Sequence, residues 1–204
     1  MNRHRLVLAS SSRYRRGLLE RLGIAFEVIA PDVDETAKAG EAPLATATRL
    51  AEAKARAVAG RCGSDALVIG SDQVADCDGV AVSKPIDHVD AVRMLQSLSS
   101  RTIVWHTAVV LLDVRSGRLQ SECVDVSSTF LPLSRDQIDT YLAREKPYDC
   151  AGAVRSEALG IALFERITSD DPTALVGLPL IALTRMLRNA GFDVLGPDAG
   201  GDVR

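Results

Sequence analysis

The apolar positions of the chain change their period along its length, and each period predicts an element. Leu6-Val7-Leu8-Ala9 is an uninterrupted apolar run, the pattern of a short strand buried on both faces. Ser10-Ser11-Ser12 follows, and a helix is predicted from about Tyr14, with Leu18, Leu19 and Leu22 at helical spacing and Gly23 ending it. Residues 26–30 predict a second strand, closed by Pro31. Leu44, Ala47, Leu50, Ala51, Ala55 and Val58 predict a second, amphipathic helix. Residues 67–70 predict a buried strand that ends at Ser71-Asp72, with a small hairpin turning at Asp78-Gly79 beyond it. Val89, Val92, Leu95 and Leu98 mark a third helix. Residues 102–112 and 122–130 predict two long strands joined around Ser116-Gly117. Ile138, Tyr141 and Leu142 mark another helix, and residues 180–190 the last one, stopped by Gly191.

Alternation of strands and helices, then a hairpin-rich part, predicts an α/β fold with a mixed sheet. The 204 residues suit one domain over 1–195, with a polar, Gly-rich tail at 196–204 expected to fray. The formal net charge of -3 provides no general basic field, so neither nucleic acid nor an anionic membrane is an expected partner. Any phosphate binding must come from a local cluster. The apolar run 6–9 is too short for a signal-peptide core, and the stretches 108–112 and 178–183 fall far short of a membrane span. A cytoplasmic location is expected. Cys62, Cys77, Cys123 and Cys150 form no CxxC pair, and His4, His88 and His106 are scattered, so no zinc-ligand spacing is visible.

Several segments carry candidate chemistry. Ser10-Ser11-Ser12-Arg13-Tyr14-Arg15-Arg16 places hydroxyls and three arginines where a strand gives way to a helix. Free N–H groups and the positive end of the helix dipole make such a junction an anion site, and guanidinium forks suit phosphate oxygens. A Ser cap with a solvated basic end would be the structural alternative, but arginines in a first turn oppose the dipole. Glu35, with Asp32 and Asp34, is either an acidic surface loop or a holder of a hard cation. Lys54 falls on the apolar face of its helix, where an ammonium either snorkels out or meets a partner in a cleft. Asp72 is delivered by an apolar strand, and Lys84-Pro85 sets a further cation on a rigid turn. The stretch 149–160 reads as turns and a strand, and its periodicity assigns it no function.

In their order and spacing, Leu6 to Ser12, Asp34-Glu35, Lys54-Ala55, Ile69-Gly70-Ser71-Asp72-Gln73-Val74, Lys84-Pro85 and Leu175-Val176-Gly177-Leu178-Pro179 resemble the Maf family of nucleotide pyrophosphatases. The resemblance spans about residues 5–192. The stretch 149–160, with Leu163-Phe164-Glu165, is similar to the branch acting on 7-methyl-GTP rather than on dTTP and UTP. The resemblance implies a two-lobed α/β fold with a cleft between the lobes, a divalent cation (Mg²⁺ or Mn²⁺), a nucleotide substrate and a homodimer. It also implies roles: Ser10, Arg15, Arg16 and Lys84 at the phosphates, Glu35 and Asp72 at metal and water, with Asp72 as proton acceptor. Lys54 would neutralise phosphate charge, and Tyr14, Gln73 and Glu157 would choose the base. Here Arg13 stands where the family often has Pro, Tyr14 where Trp is frequent, and Ala153, Val154, Arg155 and Ala158 depart from the commonest residues of that branch. Alternatives are the same reaction on pyrimidine triphosphates, and a nucleotide-binding regulator of cell division without turnover. Retention of Glu35, Lys54 and Asp72 speaks against the latter.

Overall fold

The structure is a computed structural model, described for residues 4–196, so the expected tail lies outside the described residues from 197 onward. Its centre is a seven-stranded mixed sheet in the order β2-β1-β3-β5-β6-β7, with β4 paired to β3. The strands are β1 (Arg5–Ala9), β2 (Glu27–Ile29), β3 (Ala66–Cys77), β4 (Val80–Val82), β5 (Thr102–Asp113), β6 (Leu119–Phe130) and β7 (Phe164–Ser169). The helices are α1 (Arg13–Glu20), α2 (Pro43–Ala59), α3 (His88–Leu98), α4 (Arg135–Glu145) and α5 (Leu180–Asn189). β1 runs parallel to β2 and β3, and the other pairings are antiparallel.

Side-chain alternation along β3 divides the core. Leu67 and Ile69 face α1 and α5, packing with Leu18, Leu19, Leu183 and Leu187. Val68 faces α2, packing with Ala47, Ala51, Ala55 and Val58. Farther along the strand, Ala75 and Cys77 pack with α3 and α4 through Leu95, Trp105, Ile138 and Leu142. One end of the long strands therefore belongs to a lobe built on α1, α2 and α5. The other end belongs to a lobe built on α3 and α4.

Three sequence expectations change. The stretch 149–160, expected as turns and a strand, holds no strand: it forms short helical turns at Ala151–Ala153 and from Leu159, joined by loop. The strand expected to stop at Ser71-Asp72 continues to Cys77, because β5 pairs with it from Leu67↔Asp113 to Asp76↔Val104. The polar trio Ser71-Asp72-Gln73 is thus inside a strand, its backbone satisfied by β5 and its side chains by partners described below. β7 was not legible as a strand. It is the edge of the sheet, and its buried and exposed positions do not alternate cleanly.

β3 has a continuous partner in β5 but not on its other side. There β1 pairs as far as Gly70, β4 begins at Ala75, and residues 71–74 face an opening. This gap lies where β1 ends and α1 starts, so both faces of β3 reach one opening between the lobes. α2 comes close to β3 because Gly70 lacks a side chain: a Cβ there would lie 2.1 Å from the carbonyl oxygen of Ala51 and 2.9 Å from Cβ of Ala55. That approach sets Lys54 over Asp72.

Gly70→Ala is therefore expected to push α2 off the sheet. Such overpacking costs roughly 1–3 kcal/mol, read as a lowered denaturation midpoint, and turnover should fall more than in an Ala substitution at exposed Gly60. Unchanged stability and turnover would show that α2 can shift without consequence.

Candidate active site

The gap in β3 opens into a cleft of about 800 Å³ lined from both lobes, including Ser10, Tyr14, Arg15, Glu35, Lys54, Asp72, Gln73, Lys84 and Glu157. Nine of the ten residues to which the family resemblance gives a role are thus brought to one cavity, whereas Asp32 and Asp34 do not line it. Arg16 is the exception: it is exposed on the outer side of α1, and its Nε donates to Glu20 one turn on at 2.9 Å. Among the described residues it does not line the cleft.

At the floor, Lys54 Nζ lies 2.6 Å from Asp72 Oδ1 and 2.9 Å from Glu35 Oε1. Lys54 and Asp72 are buried, whereas Glu35 is half exposed on the loop after β2. Burial pushes the Glu35 carboxyl up, but Lys54, Lys84 and Arg15 together outweigh it and hold the group below the usual carboxylate range. The loop carrying Glu35 is clamped to α2 by Arg49, whose guanidinium donates to Glu41 at 2.6 and 2.7 Å and to the Thr36 carbonyl at 3.1 Å. The Arg49 hydrogen bonds depress the Glu41 carboxyl to about 2. Nothing in the spacing of Glu41 and Arg49 marked this clamp, because the two residues straddle a loop-to-helix junction.

The start of α1 forms the upper wall. Ser12 caps the helix by accepting from the Arg15 N–H at 3.3 Å, and Ser10 Oγ accepts from the Ser12 N–H at 3.1 Å. Arg15 turns inward and its Nε donates to the Gly177 carbonyl at 2.8 Å. Burial lowers the proton affinity of this guanidinium, and Asp72 and Glu35 act against that. Gly177 has φ of 111°, a conformation open to glycine, which turns the loop toward Arg15.

That loop is held by residues the sequence reading left unassigned. Asp171, almost fully buried, accepts from Thr173 N–H at 3.0 Å, Thr173 Oγ1 at 2.6 Å and Ile181 N–H at 2.7 Å. Leu180 N–H donates to Thr173 Oγ1 at 2.8 Å. Together they cap α5 from a distance, and an Asp-Pro-Thr sequence shortly before a Pro-initiated helix is the signal that could have shown it. Gln73 secures the loop's other end: its Nε2 lies 3.0 Å from the Ala174 carbonyl, 3.1 Å from the Leu175 carbonyl and 2.9 Å from Thr107 Oγ1. The amide hydrogens of Gln73 are thus committed to structure.

The far wall ties the lobes together at Tyr14. Its hydroxyl accepts from Arg13 at 2.8 Å and Arg155 at 3.1 Å, and donates to Asp149 at 3.3 Å. Arg155 is anchored in turn by the Glu145 carboxylate at 3.1 Å. Two departures from the family pattern, Arg13 and Arg155, therefore serve one device that fixes the Tyr14 ring at the cleft. Arg13 also lies over that ring, 4.8 Å from its centre. Glu157 is exposed at the rim of the same cavity.

The convergence of two carboxylates on one ammonium tests the site for a metal. Both offer hard oxygen donors facing an open cavity, the donor type Mg²⁺ and Mn²⁺ prefer. Glu35 and Asp72 fit such an ion.

Fold and cleft place the chain among two-lobed α/β proteins with a polyanion-sized, cation-lined cleft, and the family follows from comparison. The chain matches the family described as Maf-like protein over residues 5–190 and belongs to it. The 7-methyl-GTP pyrophosphatase of Burkholderia pseudomallei (strain 1710b) is 56% identical over 197 residues, covering 96% of this chain and 92% of that protein. The protein of the same name from Paraburkholderia xenovorans (strain LB400) is 55% identical, covering 94% of this chain and 95% of the relative. That from Cupriavidus metallidurans is 53% identical, covering 94% and 96%. No helix among the described residues is long and apolar enough to cross a membrane.

Removing one member of a buried ion pair strands the other, a loss of about 3–5 kcal/mol. Lys54→Met should therefore destabilise the protein strongly, and adding Asp72→Asn should recover much of the loss in a double-mutant cycle followed by denaturant unfolding. Additive effects of the two substitutions would mean that the 2.6 Å pair contributes no coupling.

Proposed function

We propose that the chain is a nucleoside triphosphate pyrophosphatase that cleaves 7-methyl-GTP between its α and β phosphates, releasing the monophosphate and pyrophosphate. The observation that carries this reading is the convergence on one cleft of Arg15, Lys54 and Lys84 with the carboxylates of Glu35 and Asp72. Membership of the Maf-like family and the shared name of relatives more than half identical over nearly the whole chain support it.

Ser10, the N–H groups at the start of α1, Arg15 and Lys84 hold the triphosphate. A triphosphate brings several negative charges, and a cavity with a partly buried guanidinium and two ammonium groups matches them without a global basic field. Arg16 adds to the positive field of α1 from outside the cleft rather than by contact. Asp72 accepts the proton of the water that attacks the α-phosphorus, and Lys54 fixes its carboxylate in place. As pyrophosphate departs, charge grows on the bridging oxygen, and cations already in position stabilise it without reorganisation. A divalent cation held by Glu35 and Asp72 would neutralise phosphate charge and make water more acidic.

Base choice follows from the far wall. The N7-methylated guanine ring is cationic and stacks favourably on an electron-rich aromatic face. Two guanidinium groups, of Arg13 and Arg155, lie 4.8 and 6.0 Å from the centre of the Tyr14 ring and hold it at the cleft wall where the base would stack. Glu157 at the rim accepts N–H groups of the guanine edge. Gln73 acts on the base indirectly, through the loop it holds.

A screen of purified protein over 7-methyl-GTP, GTP, UTP and dTTP, scored by pyrophosphate release with Mg²⁺ or Mn²⁺ and with chelator, tests the reading. The highest kcat/KM is expected for 7-methyl-GTP, with no turnover in chelator. Asp72→Asn should lower kcat by ~10²–10⁴-fold, and Glu157→Ala should lower kcat/KM for 7-methyl-GTP more than for UTP. A preference for UTP or dTTP would overturn the base assignment, and near-normal kcat in folded Asp72→Asn would overturn the role of Asp72.

A further inference from the structure

Beyond the cleft, the sheet brings together a second group of chemistry-bearing side chains that spacing in the chain keeps apart. His106 on β5 is the direct cross-strand partner of Asp125 on β6. Cys123 lies two residues before Asp125 and so on the same face of the sheet. Asp76 belongs to that face too, two residues beyond Val74, the β3 partner of His106. One ligand atom from each of His106, Cys123 and Asp125 lies within 4.8 Å of the others. None of the four residues lines the cleft.

The imidazole has a carboxylate against each nitrogen. Nδ1 is 2.7 Å from Asp125 Oδ1, and Nε2 is 3.3 Å from Asp76 Oδ2. The single proton of a neutral imidazole can sit on either nitrogen: on Nδ1 it is donated to Asp125, and on Nε2 it is donated to Asp76, which leaves the Nδ1 lone pair beside Asp125 and Cys123, open to a metal ion. The thiol of Cys123 beside the same pair of atoms adds a soft ligand that a proton bridge does not need.

We propose that His106, Cys123 and Asp125 bind a borderline-soft divalent cation of the zinc class, with Asp76 as the carboxylate that orients the imidazole. Nitrogen, sulfur and oxygen ligands at roughly 2.0–2.3 Å are what such an ion takes. A carboxylate on the far ring nitrogen is the usual support of a metal-bound histidine. To reach tetrahedral spacing the wider separations, up to 4.8 Å, must close by about an ångström, while Nδ1 and Asp125 Oδ1, now 2.7 Å apart, must part by roughly half an ångström. Asp125 has the freedom to move, its side chain being 53% exposed, while His106 is held in the sheet with 11% exposure. Bound metal would staple β5 to β6. Burial, with the Asp125 charge beside it, pushes the Cys123 thiol up to about 11, so binding must displace its proton and strengthens as pH rises.

The test is a titration of the full chain, stripped with chelator and free of nucleotide, with Co²⁺ as the probe. The expected result is a near-ultraviolet thiolate-to-cobalt band that saturates at one equivalent, separate from any Co²⁺ taken up by Glu35 and Asp72 in the cleft. Cys123→Ser should abolish the band, whereas Cys62→Ser, Cys77→Ser, Cys150→Ser and the cleft variant Asp72→Asn should retain it. Asp76→Asn should weaken binding by ~10–100-fold while keeping the band at saturation. Because Asp125 is half exposed, Asp125→Asn gives a folded variant in which at least a tenfold loss of affinity is expected. Absence of the band in the wild-type protein, its survival in Cys123→Ser, or unchanged affinity in Asp125→Asn would each overturn the site and leave the cluster bridged by protons.

Discussion

One ammonium group organises the catalytic end of this molecule. Lys54 reaches Asp72 on the central strand and Glu35 on a loop, and it does so from the buried face of α2, whose nearest neighbours along the helix are Leu50, Ala51, Ala55 and Val58. A charge there is tolerable because it is paired at hydrogen-bond distance. The pairing in turn demands that α2 lie almost on the backbone of β3, which Gly70 alone permits. Stability and chemistry are thus coupled in a few residues. The same constraint that makes the interior acceptable aligns two carboxylates toward an open cavity.

The cavity exists because β3 loses its neighbour for four positions, 71–74, between the end of β1 and the start of β4. A gap in a fully buried sheet would normally leave backbone groups without partners. Here the opening faces the substrate cleft, and the side chains around it are turned to polar work. On one face Asp72 meets Lys54. On the other, Ser71 lies 2.9 Å from the Gly177 carbonyl and Gln73 binds the preceding turn. The loop so fixed returns its Gly177 carbonyl to Arg15. Arg15, the loop and the central strand therefore form one hydrogen-bonded chain, and the lobes meet again at Tyr14 through Arg155 and Asp149.

Legibility in the sequence followed the strength of the local pattern. Leu18 and Leu19, Leu50 and Val58, and Leu95 and Leu98 carried their helices openly, and the two strands of the long hairpin were marked by runs of apolar residues around Gly117. The pattern misled at Ser71-Asp72-Gln73, where polar residues resembled a strand end because their partners come from far along the chain. It was silent at β7, whose solvent-facing edge position imposes little alternation. The candidate site residues were legible mostly through the order of short motifs. Arg15 and Arg16 are indistinguishable by type, and only the helix face separates the one in the cleft from the one paired with Glu20. Arg49, Asp171 and Arg155 act by holding other groups, and such positioning leaves almost no trace in a single sequence. His106, Cys123 and Asp125 meet solely through strand register.

The proposed reaction has water attack the α-phosphorus, with Asp72 taking its proton and the cations of α1 and Lys84 meeting the departing pyrophosphate. Where the new oxygen goes decides this. Turnover of 7-methyl-GTP in ¹⁸O-enriched water, followed by mass spectrometry of both products, should place one labelled oxygen in the nucleoside monophosphate and none in the pyrophosphate. Label in the pyrophosphate, or release of orthophosphate and a diphosphate in its place, would contradict the assignment.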